Sequence, residues 1–250
     1  MPLKALCVLV AAVLASGRGP AAAAPPVDVP SSWRAVQAEQ EAAVRLTPQL
    51  RARSLELGAP VCLRVFKEER ILEVWLGDRS GRFRLLTSYA ICALSGGLGP
   101  KLQVGDGQSP EGFYSVRPAA LNPSSAYHLS FDLGYPNAFD RANGRTGRAL
   151  MVHGNCVSIG CYAMTDRSMD EIWTFAAAAF RNGQREIQVQ VFPFRMTSES
   201  LSRHRGNRWY EFWTDLKKGY DLFDGSGVPP RVEVRDGRYR FVPRTQTGSP

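Results

Sequence analysis

Residues 150–166 read LMVHGNCVSIGCYAMTD, and the rest of the chain can be arranged around them. The apolar run 149–152 has the character of a buried strand that delivers a side chain at its end. His153 follows directly, then Gly154, where a backbone can turn or be closely approached. Cys161 lies eight residues beyond His153, behind Ser158 and Gly160. A cysteine attacks as the thiolate, so it needs an imidazole or another cation to lower its pKa. His153 is the neighbour that can do so. Backbone N–H groups around Gly160 and Cys161 would face an oxyanion, with Gly160 leaving room for it.

Three chemistries fit these residue types. The first is a thiolate nucleophile with an imidazole base. The second is a Cys156–Cys161 disulfide in an exported protein. The third is a metal held by His153, Cys156 and Cys161, for which no fourth ligand lies nearby and neither His128 nor His204 has ligand spacing. Neither a metal nor a cofactor is expected.

The first residues set the address. Lys4 precedes an apolar run at 5–15, and the small residues 21–24 offer cleavage sites. Eleven apolar residues fall short of the ~20 that span a bilayer. Residues 1–24 therefore read as a removable signal peptide, with no stable membrane insertion afterwards and a periplasmic destination. Export removes Cys7 and leaves Cys62, Cys92, Cys156 and Cys161. Cys62 and Cys92 fall in apolar, strand-like runs and read as buried free thiols. The net charge of +8 suits anionic surroundings, such as carboxylate-rich wall peptides or anionic lipid. The address excludes nucleic acid as a partner.

Organisation follows from periodicity. Residues 25–60 form a linker and helical lead-in, with Ser31 or Ser32 capping a helix over 33–45 and Thr47-Pro48 starting a second that Gly58 closes. From Val61 the period becomes two: strands over 61–65 and 71–75 turn at Lys67-Glu68-Glu69-Arg70, and 83–90 is the next strand. The Gly-rich stretch 96–107 lacks a Walker lysine and reads as loops. Residues 127–131 read as a strand containing His128, and 135–141 as a polar loop. Asn137, Asp140 and Arg141 in that loop either touch substrate or fix the loop. Ser168-x-x-Glu171 is a capping box for a helix ending at Gly183. A closing strand covers 187–194. A helix over 198–218 carries Trp209, Phe212, Trp213 and Leu216, a stripe expected to be core. Residues 245–250 read as a loose tail.

His153-Gly154 followed by Ser158-x-Gly160-Cys161 resembles the signature of the YkuD-type L,D-transpeptidases. Tyr162-Ala163-Met164-Thr165-Asp166 and, later, Phe212-Trp213 with Leu216-Lys217-x-Gly219-Tyr220-Asp221 are similar to the YafK-like branch. The interval between base and nucleophile is shorter here than is usual in the family, and Ile159 stands where many relatives have a second histidine. The resemblance implies an α+β domain, mainly β with flanking helices, whose catalytic part is a twisted β-sandwich over 61–196. Residues 197–250 would then be a C-terminal helix and tail packing on it.

For function the resemblance implies peptidoglycan stem peptides as substrate. Cys161 would form a thioacyl-enzyme at the L-centre of diaminopimelate, with His153 as base and Gly160, Ser158 and Gly154 as oxyanion and loop support. An amine would resolve it in L,D-transpeptidation. The alternatives are an amidase that uses water, releasing wall-linked peptides or a lipoprotein, and a non-catalytic wall-binding domain with Cys156 and Cys161 oxidised together.

Overall fold

The computed structural model describes residues 27–244, so the leader expected at 1–24 and the tail at 245–250 lie outside it. Strand β1 (Val61–Phe66) is buried along its whole length. Val61, Leu63 and Val65 face the larger core, while Cys62, Arg64 and Phe66 on the other face are covered as well. It pairs antiparallel with β2 (Ile71–Gly77) across the expected polar turn, and β2 pairs with β3 (Phe83–Ala90). With β4 (Gly112–Val116) and β9 (Ile187–Phe192) these make a five-stranded sheet of order β3-β2-β1-β9-β4. A second sheet, order β5-β6-β7-β8, holds β5 (Leu121–Asn122), β6 (Ser130–Asp132), β7 (Met151–His153) and β8 (Tyr162–Ala163). A bridge between Ala93 and Ala163 ties its edge to the segment after β3. The α+β architecture with flanking helices is as expected.

Helices cover both faces of the larger sheet. Helix α1 (Trp33–Ala52) is capped by Ser32, whose hydroxyl accepts from the Ala35 N–H. It runs through Pro48 instead of stopping there. A proline inside a helix costs ~3 kcal/mol. Here the deprived carbonyl belongs to Val44 on the solvent side, and Ala35, Ala38, Ala42, Leu46 and Leu50 continue one buried stripe past it. That stripe packs on α3 (Asp166–Arg181). Helix α3 begins before the expected Ser168, because Thr165 is the cap and accepts from the Ser168 N–H. Glu171 does not close a capping box; it binds Arg45 and the Tyr89 hydroxyl.

Two further expectations are corrected. The helix over 198–218 is two helices, α4 (Ser198–Arg203) and α5 (Tyr210–Ser226). Trp213, Leu216 and Phe223 of α5 are core, as the aromatic stripe predicts. Residues 231–242 form a hairpin, β10 (Arg231–Arg235) and β11 (Arg238–Val242), turned at Asp236-Gly237 with both residues left-handed. Its Tyr239 and Phe241 pack near Phe113, and Gly219 of α5 is required there: a Cβ would lie 2.5 Å from both Phe113 and Phe241.

One buried ion pair joins these layers. Lys67 Nζ lies 3.1 Å from Glu111, both almost without solvent contact. Lys67 also donates to the Gly99 and Ser109 carbonyls, and Glu111 accepts from Gly99 N–H and Trp213 Nε1. The pair thus fixes the loop 95–109 between β1 and α5.

Candidate active site

The smaller sheet presents two rows of side chains on one face. Ser130 pairs with His153 and Asp132 with Met151, while His153 lies beside Ala163 on β8. Cys161 precedes β8 and sits beside Met151, whose N–H donates to Sγ at 3.4 Å. Phe131, Val152 and Tyr162 point the other way, into the core. The alternation of strand side chains therefore puts Ser130, Asp132, Met151, His153 and Cys161 on one face.

His153 is buried, and its Nδ1 lies 2.5 Å from the Gly154 carbonyl. A carbonyl only accepts, so Nδ1 carries the proton and Nε2 is left with its lone pair. Burial lowers the imidazole pKa from 6.5, with the Gly154 bond working against it. The Tyr127 ring lies 4.9 Å from the imidazole, centroid to centroid. His153 and Cys161 line one cavity of about 410 Å³ with Tyr127, Ala149, Val157, Ser158 and Ile159.

Cys161 is a free, partly buried thiol. Burial pushes its pKa up from 9.0; the Met151 N–H lowers it, the Asp132 carboxylate raises it and Lys101 lowers it. At neutral pH the resting thiol is therefore protonated, and the thiolate is not preformed beside the imidazole as the sequence led one to expect.

Eight residues, 154–161, join β7 to β8, which run parallel. Parallel neighbours ordinarily need a crossover of a dozen or more. The short connection is made with Asn155 and Cys156 at φ 63° and 30° and Gly160 at φ 144°. At Gly154 the requirement is closeness: a Cβ would lie 2.5 Å from Asp166 Oδ1 and 2.9 Å from the His128 Cβ. Asp166 Oδ1 accepts from the Asn155 N–H. The Ser158 hydroxyl donates to the Cys161 carbonyl at 2.7 Å and accepts from the Gly160 N–H, and Ser109 donates to the same carbonyl.

The cysteine arithmetic is corrected here. Cys156 is bonded to Cys92, 64 residues away in sequence. Cys92 is thus not a free thiol, while Cys62 is, buried and with its pKa raised to about 12 by burial. The Cys156–Cys161 disulfide is excluded because Cys156 has another partner. For the same reason Cys156 cannot join a metal site, and no three metal-ligating side chains cluster among the described residues.

Asn137, Asp140 and Arg141 lie elsewhere. Asn137 caps the short helix α2 (Ala138–Ala142) in a capping box with Asp140. Asn137 Nδ2 donates to the Phe113 carbonyl and the Tyr239 hydroxyl; Asp140 is fully buried against Arg145, and Arg141 donates to the Pro136 carbonyl. None lines the cavity of Cys161. The strand expected at 127–131 is only Ser130–Asp132. His128 is a left-handed bend residue with Nε2 2.6 Å from Asp170. Sequence reasoning missed Tyr127, whose turn brings its ring against His153, and Asp132, which only the register of β6 places on the face of Cys161. No helix among the described residues is long and apolar enough to cross a membrane.

No family model matches the chain. A protein of Escherichia coli strain K12 carried under the name "Putative L,D-transpeptidase YafK" is 49% identical over 183 residues, covering 73% of this chain and 74% of that one. Among solved structures, the helical cell shape determining protein Pgp2 from Campylobacter jejuni aligns at TM-score 0.44 and 18% identity, over 71% of this chain and 73% of its own. A lysine-to-alanine variant of Pgp2 aligns at TM-score 0.45 and 20% identity, over 66% of this chain and 56% of its own, little more than half. Those structural likenesses are too loose to carry an argument. At 49% identity over nearly three quarters of both sequences, the chain belongs to the L,D-transpeptidase family, in its YafK-like branch.

Proposed function

We propose that this protein is an exported, periplasmic cysteine enzyme acting on peptidoglycan stem peptides at the L-centre carbonyl of diaminopimelate. The observation that carries the reading is the sharing of one cavity by Cys161 and an imidazole whose tautomer leaves Nε2 free. His153 Nε2 takes the thiol proton as Sγ attacks the carbonyl. The Gly160 N–H is committed to Ser158, so of the two N–H groups at Gly160 and Cys161 it is that of Cys161 that would donate to the oxyanion. Collapse breaks the C–N bond as imidazolium protonates the leaving amine, giving the thioacyl-enzyme. An incoming amine or water, deprotonated by His153, then displaces Cys161 and regenerates the thiol.

Amine and water define the two readings, L,D-transpeptidase and amidase. The short connection 154–161 favours water, because it offers few walls to orient an acceptor, and Ile159 on it is 91% exposed. Orientation is worth ~7–11 kcal/mol in a bimolecular step. A wall-linked lipoprotein would be one natural substrate of the amidase. The test is purified protein given a tetrapeptide-bearing muropeptide with excess acceptor, products read by mass spectrometry. Hydrolysed tripeptide should at least equal cross-linked dimer. Dimer in large excess from the first turnovers overturns the hydrolytic reading, and no product with either overturns the function.

A further inference from the structure

We infer that Asp132 receives the ammonium group at the D-centre of the same diaminopimelate whose L-centre carbonyl Cys161 attacks, an inference that rests on the function proposed above. Asp132, Met151 and Cys161 form one row across three strands, so Asp132 lies on the same sheet face as the nucleophile, beyond the residues that line its cavity. Two strand spacings put Asp132 and Cys161 ~9.6 Å apart at the backbone. In diaminopimelate six bonds separate the L-centre carbonyl carbon from the D-centre nitrogen, a reach of ~7.5 Å when extended. With Sγ bonded to that carbonyl, the ammonium falls within reach of a carboxylate two strands away.

The charges around the row leave Asp132 open for this role. Lys101 is engaged by Asp106. Asp132 is half-buried, accepts from the Gly134 N–H through Oδ1 at 2.7 Å, and makes no ion pair among the described residues. A carboxylate has further lone pairs to offer, and its bonds to a cation are the stronger kind. The position also has a consequence for the nucleophile. The Asp132 carboxylate by itself disfavours the thiolate. An ammonium seated on Asp132 cancels that effect, so a substrate with a free D-centre amine removes an obstacle to its own attack.

The test compares two donor tetrapeptides, one with the free D-centre amine and one with hydrogen in its place, the D-centre carboxylate being kept in both. The unaltered protein should favour the amine-bearing donor by roughly tenfold or more in kcat/KM, largely through KM. Asp132→Asn should bring that ratio close to one, and Asp132→Glu should restore part of it. A ratio unchanged in Asp132→Asn overturns the inference. Binding of both peptides to Cys161→Ala protein, with and without Asp132→Asn, gives an answer that needs no turnover. If neither peptide is turned over, the proposed function falls. A binding preference abolished by Asp132→Asn still upholds the contact, and no preference in binding overturns it.

Discussion

At the scale of single residues, the proposed chemistry turns on two groups that are both neutral at rest. The Cys161 thiol is held up by burial and the His153 imidazole is held down by it. In the mechanism proposed above the pair therefore works by proton transfer during attack, not as a standing thiolate–imidazolium pair. The base must be unprotonated, and lowering its pKa keeps it so at more acid pH. The acid limb of kcat/KM should accordingly lie below the ordinary histidine value of 6.5; a limb at or above neutrality would mean another group is titrating. Cys161→Ala should lower turnover by ~10³-fold or more with the fold intact. Alkylation of the folded protein should consume one thiol, Cys161, at a rate that rises with pH and has not levelled off at pH 9. Cys62 should react only on unfolding. The nearness of Cys161 and His153 was legible in residues 150–166, although the residue types alone left a disulfide and a metal open beside the thiolate pair until the family resemblance chose among them. Their ionisation was not, because burial is set by residues far along the chain.

At the scale of elements, the connection 154–161 is constrained from both ends. Gly154→Ala would drive a methyl into Asp166 and His128. Overpacking of that kind costs ~1–3 kcal/mol, to be read as a lower midpoint in urea unfolding. The Cys92–Cys156 bridge closes a long loop, and removing such a bridge costs ~2–4 kcal/mol. Thermal unfolding with and without reductant should show that loss, and Cys92→Ala/Cys156→Ala should abolish the difference. No pattern within a strand announces a partner 64 residues distant, so this bridge was illegible in sequence. The hairpin β1–β2 was legible because its alternation and polar turn are local. The hairpin β10–β11 had an equally local signal in Asp236-Gly237, but it was masked. Arg231, Glu233, Arg235, Arg238 and Arg240 crowd one face, and the apolar alternation of Val232, Val234, Tyr239 and Phe241 shows only once those are set aside. Pro48 misled for the opposite reason: a correct local rule was overridden by a stripe buried on α3.

At the scale of the whole molecule, Lys67 and Glu111 couple the layers to the site. They fix the loop 95–109, and Ser109 in that loop holds the Cys161 carbonyl. Burial lowers the Lys67 pKa while Glu111 raises it. Lys67→Met would leave the Glu111 carboxylate buried without its cation, a change worth ~3–5 kcal/mol. Lys67→Met with Glu111→Leu should lose less than the sum of the two single changes, measured as a double-mutant cycle in urea. Additive losses would show that the pair is not coupled. Turnover should fall in the Lys67 variant beyond what its unfolded fraction explains, because the loop behind Cys161 loosens.

The parallel join of β7 to β8 has one more implication. A connection already at the short limit, bridged covalently at Cys156 and pinned at both ends, has no slack with which to swing. The mouth above Cys161 is thus a fixed aperture and not a jaw. Ligands enter without a closing step, and a small flat electrophile that slips past Ile159 onto the Tyr127 ring should label Cys161 in a single kinetic phase, without the lag that a closing lid would impose.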